Sequence, residues 1–488
     1  MRFVSTRGGD QATFEEAIGR GYARDGGLYL PEDLEAIPLE TIALWKSLAF
    51  PALCEELFVR WIGDEVPREQ LRRVFDQCFV DFSEESIIPV RKVGEGCYVA
   101  ELFHGPTFSF KDFGQQMLCK LLDHFAQKRE RVVTLLVSTT GDTGPAAIRA
   151  CASLPSLRIV CCYPLGQLSR FQEMQMTTVE GTNVNVFAFE GGGDDMDAPI
   201  KALSTDAAFQ EKYHVASVNS INLARILAQT VHFFFSYFRA IEHAGLEVGA
   251  KVCLAVPCGA LGNIVAALIA KRLGLPLGVI VCGTNANDIF HRAVADGDFT
   301  RHPTMHRTLS EAINIQVPYN FERVIALLAD DAPLIKSMME ELTRDNKMAI
   351  PPALLASLRD TFRTTPVDDD ALLAEIRARW GAGGKEGYLV DPHTGIGLQA
   401  ARTLFKPEDA ELIVCMATAH ACKFEETMRI ALGDTFWNDE FMTEHMPASA
   451  KGLGEKPEFR RGVFKEGHDW EAQLRSMFAA QSFTLPSA

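Results

Sequence analysis

The sequence lacks an apolar segment near its first residue and an uninterrupted hydrophobic run of membrane-spanning length. The first ten residues, MRFVSTRGGD, contain no hydrophobic stretch of the kind that a secretory signal requires. One uncharged run, residues 252–270, is broken by Pro257, Gly259, Gly262 and Asn263. These breaks favour a strand, a glycine-rich loop and a buried helix over a membrane span. We therefore expect a cytoplasmic protein without a membrane partner.

Positive charge is scarce relative to negative charge. The 488 residues include 48 Lys and Arg against 64 Asp and Glu, and the net charge is −16. A nucleic-acid-binding protein would carry a basic face, so we expect no nucleic-acid partner. A small anionic substrate would need local positive sites in such an acidic chain.

Paired cysteine motifs are also missing. None of the 12 cysteines forms a Cys-x-x-Cys pair and most have apolar neighbours, so we interpret them as reduced core residues. His302 and His306 are separated by a segment containing Pro303, and no acidic or cysteine partner follows nearby. No metal site is expected.

From about residue 88, short β-branched and apolar runs alternate with amphipathic helical patterns. Strands that alternate with helices imply crossover connections, so the sequence predicts an α/β fold with mainly parallel sheets. The predicted strands are Cys97–Leu102, Val132–Val137, Arg158–Tyr163, Val184–Phe189, Lys251–Val256, Gly278–Gly283 and Glu411–Met416.

The predicted organisation has four parts. An N-terminal helical domain covers residues 1–90, and a small α/β domain covers residues 131–249. A large α/β domain is formed by residues 91–130 together with residues 250–435. Residues 436–488 form a C-terminal extension to which the sequence assigns no role. Ligands of parallel α/β proteins gather at the carboxyl ends of the strands, so the loops there are the candidate site.

One lysine stands out in the segment Glu101-Leu-Phe-His-Gly-Pro-Thr-Phe-Ser-Phe-Lys111-Asp-Phe-Gly. Desolvation among apolar groups disfavours the ammonium form and leaves a free amine, which can condense with an aldehyde such as pyridoxal phosphate. The alternative is an ordinary lysine at a helix start whose stem packs on the neighbouring phenylalanines.

The loop Pro257-Cys-Gly-Ala-Leu-Gly-Asn263 follows a predicted strand and precedes a helical run. Glycines allow close backbone approach, and free N–H groups at a helix N-terminus bind phosphate. The loop lacks the Gly-Lys-Ser/Thr of a P-loop and the Gly-x-Gly-x-x-Gly of dinucleotide-binding proteins. Close packing of the helix is the alternative explanation of its glycines.

Two further segments suit an anion. Residues 138–144, Ser-Thr-Thr-Gly-Asp-Thr-Gly, place three hydroxyl groups among glycines before a helical run, although a capped helix explains them equally. Asn219, Asn222 and Arg225 recur at every third position, which would put amides and a guanidinium on one helix side. A solvated helix face is the alternative. Thr418 follows a predicted strand, where its hydroxyl could serve a ligand nitrogen or cap the next helix.

Taken in order, these motifs resemble the threonine synthases, which belong to the fold type II (tryptophan synthase β-like) pyridoxal-phosphate enzymes. The resemblance covers nearly the whole chain to about residue 430. It rests on Ser5-Thr-Arg-Gly, Asp25-Gly-Gly-Leu-Tyr-Leu-Pro-Glu32, Phe103-His-Gly-Pro-Thr-Phe-Ser-Phe-Lys-Asp-Phe-Gly114, Thr140-Gly-Asp-Thr-Gly144, Ser217-Val-Asn-Ser-Ile-Asn-Leu-Ala-Arg225, Asn285-Ala-Asn-Asp-Ile289, Asp391-Pro-His-Thr-Gly395 and Thr418-Ala-His420.

The resemblance implies pyridoxal 5'-phosphate as cofactor, with Lys111 as the catalytic residue that binds it as an imine. Thr418 would hydrogen-bond the pyridine nitrogen, and a neutral hydroxyl there favours elimination and replacement over transamination. The cofactor phosphate would be held by the backbone N–H groups of Gly259, Ala260, Leu261, Gly262 and Asn263.

The implied substrate is a small phosphorylated amino acid, O-phospho-L-homoserine. The implied protein is a monomer or homodimer that serves threonine biosynthesis. Its carboxylate would be bound by Ser138, Thr139, Thr140, Gly141, Asp142 and Thr143. Its phosphate would be bound by Asn219, Asn222 and Arg225.

The sequence departs from the synthases at Ala260-Leu261, where Asn-Phe is common in the family. The threonine-synthase-like phospho-lyases of animals have a similar loop, and Gln316-Val-Pro-Tyr-Asn-Phe-Glu-Arg323 also resembles theirs, whereas His104-Gly-Pro-Thr107 and Thr418-Ala-His420 keep the synthase form. Because more of the motif positions keep the synthase form, we expect a carbon–oxygen lyase that produces threonine. The alternative is a phospho-lyase that releases 2-oxobutyrate, ammonia and phosphate. An inert binding relative is disfavoured because Lys111 and the loop glycines are present.

Overall fold

The computed structural model describes residues 1–192, 195–381, 387–438, 441 and 444–483. Helices and strands alternate through most of this part of the chain. The helices are Phe14–Arg20, Leu39–Leu44, Phe50–Ile62, Arg68–Cys78, Lys111–Lys128, Thr143–Cys151, Arg170–Thr177, Asp197–Thr205, Ala207–Tyr213, Leu223–Ala244, Gly262–Arg272, Ile289–Ala295, Phe321–Ala329, Ala332–Asp345, Pro352–Thr361, Asp369–Gly381, Pro392–Leu404, Glu425–Leu432 and Trp470–Ala480.

The larger sheet has six strands and is parallel except at one edge. Strand Val252–Pro257 is buried along its whole length, as expected for a strand covered on both faces. Only the pair formed by Cys97–Glu101 and Val90–Gly94 is antiparallel. In spatial order the strands are Phe362–Pro366, Leu277–Thr284, Val252–Pro257, Leu412–Ala417, Cys97–Glu101 and Val90–Gly94.

The second sheet has five strands, all paired in parallel. Its edge strand, Arg460–Phe464, comes from the C-terminal segment, and helix Trp470–Ala480 packs against helix Asp197–Thr205. The C-terminal extension, for which no role was predicted, therefore completes this sheet. In spatial order the strands are Arg460–Phe464, Val184–Phe189, Leu157–Pro164, Val133–Ser138 and Val215–Ser217.

All seven predicted strands are present in these two sheets, with ends that differ by at most a residue or so. The mainly parallel α/β fold that the sequence predicts is therefore confirmed. Eleven of the 12 cysteines are buried and Cys97 is partly buried, and all are free thiols, in agreement with their interpretation as reduced core residues. No helix in the described part of the chain is both long and apolar enough to cross a membrane.

The N-terminal region differs from its purely helical prediction. Besides its helices it contains an antiparallel sheet of Phe3–Ser5, Gln11–Ala12 and Tyr29–Pro31. Two or three residues are too few to establish an alternating pattern, so these strands left no clear trace in the sequence. A further pair of strands, Asp298–Thr300 and Lys347–Ala349, is equally short.

A cluster of aromatic rings anchors the start of helix Lys111–Lys128. The Phe113 ring lies 5.3 Å from that of Phe50 and 5.0 Å from that of Phe82, both edge-to-face. Such pairs stabilise a core beyond the area that they bury. Because Phe113 is fully buried two residues after Lys111, this packing fixes the position from which the lysine side chain projects.

Candidate active site

A large cavity of about 630 Å³ lies where loops from both sheets meet. It is lined at the carboxyl ends of strands Val133–Ser138, Val252–Pro257 and Leu412–Ala417, as expected for a parallel α/β protein. Fifteen of the sixteen predicted site residues line it: Lys111, Ser138, Thr139, Thr140, Gly141, Asp142, Thr143, Asn219, Arg225, Gly259, Ala260, Leu261, Gly262, Asn263 and Thr418.

Lys111 is the first residue of its helix, and the turn before it is tied to the strand end that carries Thr418. The Phe110 N–H donates to the Thr418 carbonyl at 2.8 Å, and the His420 N–H donates to the Phe108 carbonyl at 3.0 Å. Phe108 has a φ of +61°, a conformation that a bulky residue adopts at some cost. These contacts hold Lys111 and Thr418 against the same cavity.

The Lys111 amine is largely buried between an aromatic ring and a carboxylate. Its Nζ stands 5.5 Å from the centre of the Phe110 ring and 3.3 Å from Asp142 Oδ2. Burial lowers the pKa of Lys111; Asp142 opposes the shift, and Arg225 and Lys423 add to it. The net direction is a lowered pKa in spite of the carboxylate, which favours the nucleophilic amine.

The loop before helix Gly262–Arg272 has the form of a phosphate cradle. Leu261 precedes the helix with a φ of +61°, which turns the chain so that the first N–H groups of the helix are presented at the cavity. A Cβ at Gly259 would lie 2.9 Å from Ile313 Cγ2, and one at Gly262 would lie 3.2 Å from Ile226 Cδ1. Asn263 Nδ2 is buried without a hydrogen-bond partner, so an acceptor is missing there. These residues fit a bound phosphate group.

Replacing Gly259 by alanine is expected to weaken pyridoxal phosphate binding roughly tenfold, because the added methyl group must displace Ile313 and overpacking costs about 1–3 kcal/mol. Titration of the purified protein with the cofactor, followed by its visible absorbance, measures this affinity. Gly19→Ala is the matched control, since a Cβ at Gly19 meets no atom within 4 Å. Equal affinities for the two variants would contradict close approach at Gly259.

Thr418 lies at the end of strand Leu412–Ala417, and its N–H donates to Thr394 Oγ1 at 3.2 Å. His393, which precedes Thr394 in sequence, is a second side chain held in place by hydrogen bonds. The His393 Nδ1 lies 2.9 Å from Asp391 Oδ1, and its Nε2 accepts from the Ala312 N–H at 3.1 Å. Since Nε2 accepts, the proton of a neutral His393 is on Nδ1. His393 lines the cavity. Its segment, Asp391-Pro-His-Thr-Gly395, carries part of the family resemblance, but no role was predicted for His393.

The Ser138–Thr143 loop is held in shape by one of its own hydroxyl groups. Thr139 Oγ1 accepts from the Gly141 N–H at 3.2 Å and from the Gly144 N–H at 3.0 Å. The Thr139 side chain is therefore a brace for the loop. Ser138 and Thr140 also lie on the cavity wall and leave polar groups for a ligand.

Asn222 does not line the cavity, which corrects its prediction as a substrate ligand. Its side chain caps helix Leu223–Ala244 by accepting from the Ala224 N–H at 3.1 Å. Its amide donates to the carbonyls of Ile18 at 2.7 Å and Ser217 at 2.9 Å. The spacing of three residues suggested one helix side, but the helix begins only after Asn222.

Arg225 does line the cavity and is almost completely buried. Its Nη1 donates to the Val218 carbonyl at 2.9 Å, whereas its Nε has no partner. Burial lowers the pKa of Arg225 to about 10. Among the described residues no carboxylate lies within ion-pair distance of its guanidinium, which suits it to a bound anion. Asn219 Oδ1 on the same wall is also buried without a partner.

Further basic side chains line this cavity although the chain is acidic overall. Arg7 lies on its wall in an ion pair with Glu322, with Arg7 Nε 2.9 Å from Glu322 Oε1. Lys201 lies there 5.7 Å from the centre of the Tyr22 ring. Neither was predicted as a site residue: Arg7 lies in the Ser5-Thr-Arg-Gly motif, which was used only for the family resemblance, and Lys201 belongs to no recognisable motif.

Comparison with known proteins gives matches over nearly the entire chain. The family model "Pyridoxal-phosphate dependent enzyme" matches residues 87–418, "Threonine synthase N terminus" matches residues 2–79, and "Threonine synthase, C-terminal" matches residues 394–472. Threonine synthase-like 2 of Pongo abelii is 36% identical over 97% of this chain and 96% of its own.

Two threonine synthases agree with this result. That of Eremothecium gossypii is 35% identical over 93% of both chains. The crystal structure of the PLP-bound enzyme of Brucella melitensis is 30% identical, covers 99% of both chains and superposes with a TM-score of 0.88. The fold agrees with these matches, and pyridoxal phosphate is the cofactor that the residues of the cavity fit. The chain belongs to the threonine synthase family of pyridoxal-phosphate-dependent lyases.

Proposed function

We propose that this protein is a threonine synthase, which eliminates phosphate from O-phospho-L-homoserine and adds water to give L-threonine. The observation that carries the proposal is the presence of Arg225 and Lys111 on one cavity. A buried guanidinium without a carboxylate partner among the described residues suits the substrate phosphate. A desolvated lysine amine beside it suits proton transfer at the carbon atoms of the substrate.

The residues of the cavity divide into two groups in this proposal. The backbone N–H groups of the Gly259–Asn263 loop bind the cofactor phosphate, and the Thr418 hydroxyl binds the ring nitrogen. Bound pyridoxal phosphate supplies an electron sink next to the substrate. Lys111 Nζ holds the cofactor and then accepts and returns protons.

The substrate is held by the other two segments. The Ser138–Thr143 loop binds its carboxylate through hydroxyl and N–H groups, with Thr139 bracing the loop. Asn219 and Arg225 bind its phosphate, and Asn222 acts only through the helix that it caps. Fixing both ends of the substrate places its reacting carbons at Lys111.

The second candidate is a phospho-lyase that releases 2-oxobutyrate and ammonia from the same substrate. It is favoured by Ala260-Leu261, which replaces the Asn-Phe common in the synthases and removes an amide side chain from the cofactor loop. The similarity to threonine synthase-like 2 over 97% of this chain is consistent with it. The synthase is preferred because the segments around Lys111 and Thr418 keep the synthase sequence.

One assay separates these candidates. The purified protein, loaded with pyridoxal phosphate, is incubated with O-phospho-L-homoserine, and phosphate, threonine and 2-oxobutyrate are measured together. We expect phosphate and threonine in equal amounts. Phosphate accompanied by 2-oxobutyrate alone would replace the synthase by the phospho-lyase, and no release of phosphate would exclude both. Boiled protein and Lys111→Met protein are the controls for spontaneous release.

We also propose that the protein works in the cytoplasm, in amino-acid biosynthesis, as a monomer or homodimer. The division into domains at residues 1–90, 131–249 and 436–488, with a discontinuous large domain between them, is part of the same proposal. Light scattering coupled to size-exclusion chromatography tests the oligomeric state.

A further inference from the structure

A second lysine is buried beside the cavity and does not belong to the predicted site. Lys423 ends the short 3₁₀ turn Ala421–Lys423, five residues after Thr418, and its side chain is fully buried. Its Nζ lies 2.9 Å from Asp142 Oδ1 and donates to the Thr107 carbonyl at 2.7 Å. A fully buried lysine is rare unless it is paired, so its partners indicate its role.

Asp142 stands between the two lysines. Its Oδ2 faces Lys111 Nζ at 3.3 Å, whereas its Oδ1 faces Lys423 Nζ at 2.9 Å and accepts from Gln172 Nε2 at 3.0 Å. Burial alone would raise the pKa of Asp142, but Lys423 first and Lys111 second hold it well below its usual range. The carboxylate is therefore charged, and Lys423 is its closer cationic partner.

The contacts of Lys423 join three segments that are distant in sequence. Asp142 belongs to the Ser138–Thr143 loop, Thr107 to the turn that leads into Lys111, and Lys423 itself to the turn after Thr418. Thr107 is fixed in turn, because its hydroxyl donates to Asp112 Oδ1 at 2.7 Å. One ammonium group thus fixes the spacing of the loop proposed for the substrate carboxylate relative to the lysine.

We propose that Lys423 is a positioning residue that serves as the counter-ion of Asp142. With Lys423 in place, this carboxylate orders the substrate loop without stabilising the ammonium form of Lys111. The inference rests on the proposed role of Lys111 as the cofactor-binding amine. Without Lys423, Asp142 would have Lys111 as its single lysine partner. The repulsion between the two ammonium groups would also be lost. Both changes favour a charged Lys111.

The test compares the pH dependence of pyridoxal phosphate attachment in three variants of the full chain. Attachment to cofactor-free protein is followed by its visible absorbance, and borohydride reduction with peptide mass spectrometry locates the cofactor. We expect Lys423→Gln to move the midpoint of the attachment rate upward by about one pH unit, which makes attachment near pH 7 about tenfold slower. Lys423→Arg keeps the charge, so its midpoint should stay within a few tenths of a unit of the parent.

The double variant Lys423→Gln with Asp142→Asn isolates the electrostatic effect from damage to the fold. Removing both charges of a buried pair is far less disruptive than removing one, and it should return the midpoint to the parent value or below it. If Lys423→Gln alone does not fold, we expect the midpoint of the double variant to lie above that of Asp142→Asn, because only Asp142→Asn keeps the repulsion between Lys423 and the Lys111 ammonium.

A matched control removes another lysine that donates to a backbone carbonyl. Lys271 Nζ donates to the Gly278 carbonyl at 2.9 Å, and Lys271 does not line the cavity, so Lys271→Gln should leave the midpoint unchanged. An unshifted midpoint in Lys423→Gln, or a shift that persists in the double variant, would overturn the counter-ion role. Failure of the parent protein to attach the cofactor would instead overturn the proposed function.

Discussion

Replacing Lys111 by methionine is expected to abolish covalent attachment of pyridoxal phosphate and to lower turnover of O-phospho-L-homoserine at least about a thousandfold. Methionine preserves an apolar stem beside Phe110 but has no amine to hold the cofactor or to carry a proton. The lowered pKa of Lys111 adds a pH dependence. Since a larger fraction of the amine is free at a given pH, attachment should continue below the pH range in which an exposed lysine reacts.

The experiment combines visible absorbance with borohydride reduction and peptide mass spectrometry, which together report whether the cofactor is attached and where. Lys120→Met is the matched control on the same helix, since Lys120 Nζ donates to Gln116 Oε1 at 3.0 Å and Lys120 does not line the cavity. A visible band that survives unchanged in Lys111→Met would show that another residue binds the cofactor. No band in the parent protein at any cofactor concentration would favour an inert binding relative.

The sequence predicted the strands well because long, fully buried runs leave a strong pattern. Each of the seven predicted strands consists mostly of apolar and β-branched residues between loop residues, and such runs need both faces covered by helices. Strand Arg460–Phe464 was not predicted, because only its last residue is buried and its apolar pattern is therefore weak. Its position is determined by pairing with Val184–Phe189, more than 270 residues away, and no local pattern encodes that pairing.

Site residues could be predicted where a loop motif follows a strand. They could not be predicted where their role depends on a helix boundary or on contact with a residue distant in sequence. Gly259, Gly262 and Thr418 could be located because each lies at a strand's carboxyl end. Asn222 was misplaced because its role depends on where the helix begins, a boundary that periodicity locates poorly. Lys423 was overlooked because its partner Asp142 lies 281 residues earlier, so nothing next to it in sequence identified its charge as paired.

Replacing Arg225 by methionine is expected to raise the KM for O-phospho-L-homoserine roughly tenfold to a hundredfold, because a hydrogen bond to a charged group contributes about 1.5–3 kcal/mol. The effect on folding should be small. The Val218 carbonyl that Arg225 contacts also accepts from Gln115 Nε2 at 2.9 Å, so it remains bonded in the variant. Removing a buried guanidinium with an unpartnered Nε also relieves a desolvation cost. We expect an unchanged or higher melting temperature.

The phosphate-specific part of this effect is isolated by a ligand without phosphate. Inhibition by L-2-aminobutyrate, which shares the amino and carboxylate groups of the substrate, should be the same in the parent and in Arg225→Met. Arg359→Met is a control for loss of an arginine that donates to a backbone carbonyl away from the cavity, with Arg359 Nε 3.1 Å from the Val294 oxygen. A rise in KM matched by equal weakening of L-2-aminobutyrate would mean that Arg225 shapes the cavity as a whole. An unchanged KM would remove Arg225 from the phosphate site and leave Asn219 as the remaining candidate on that wall.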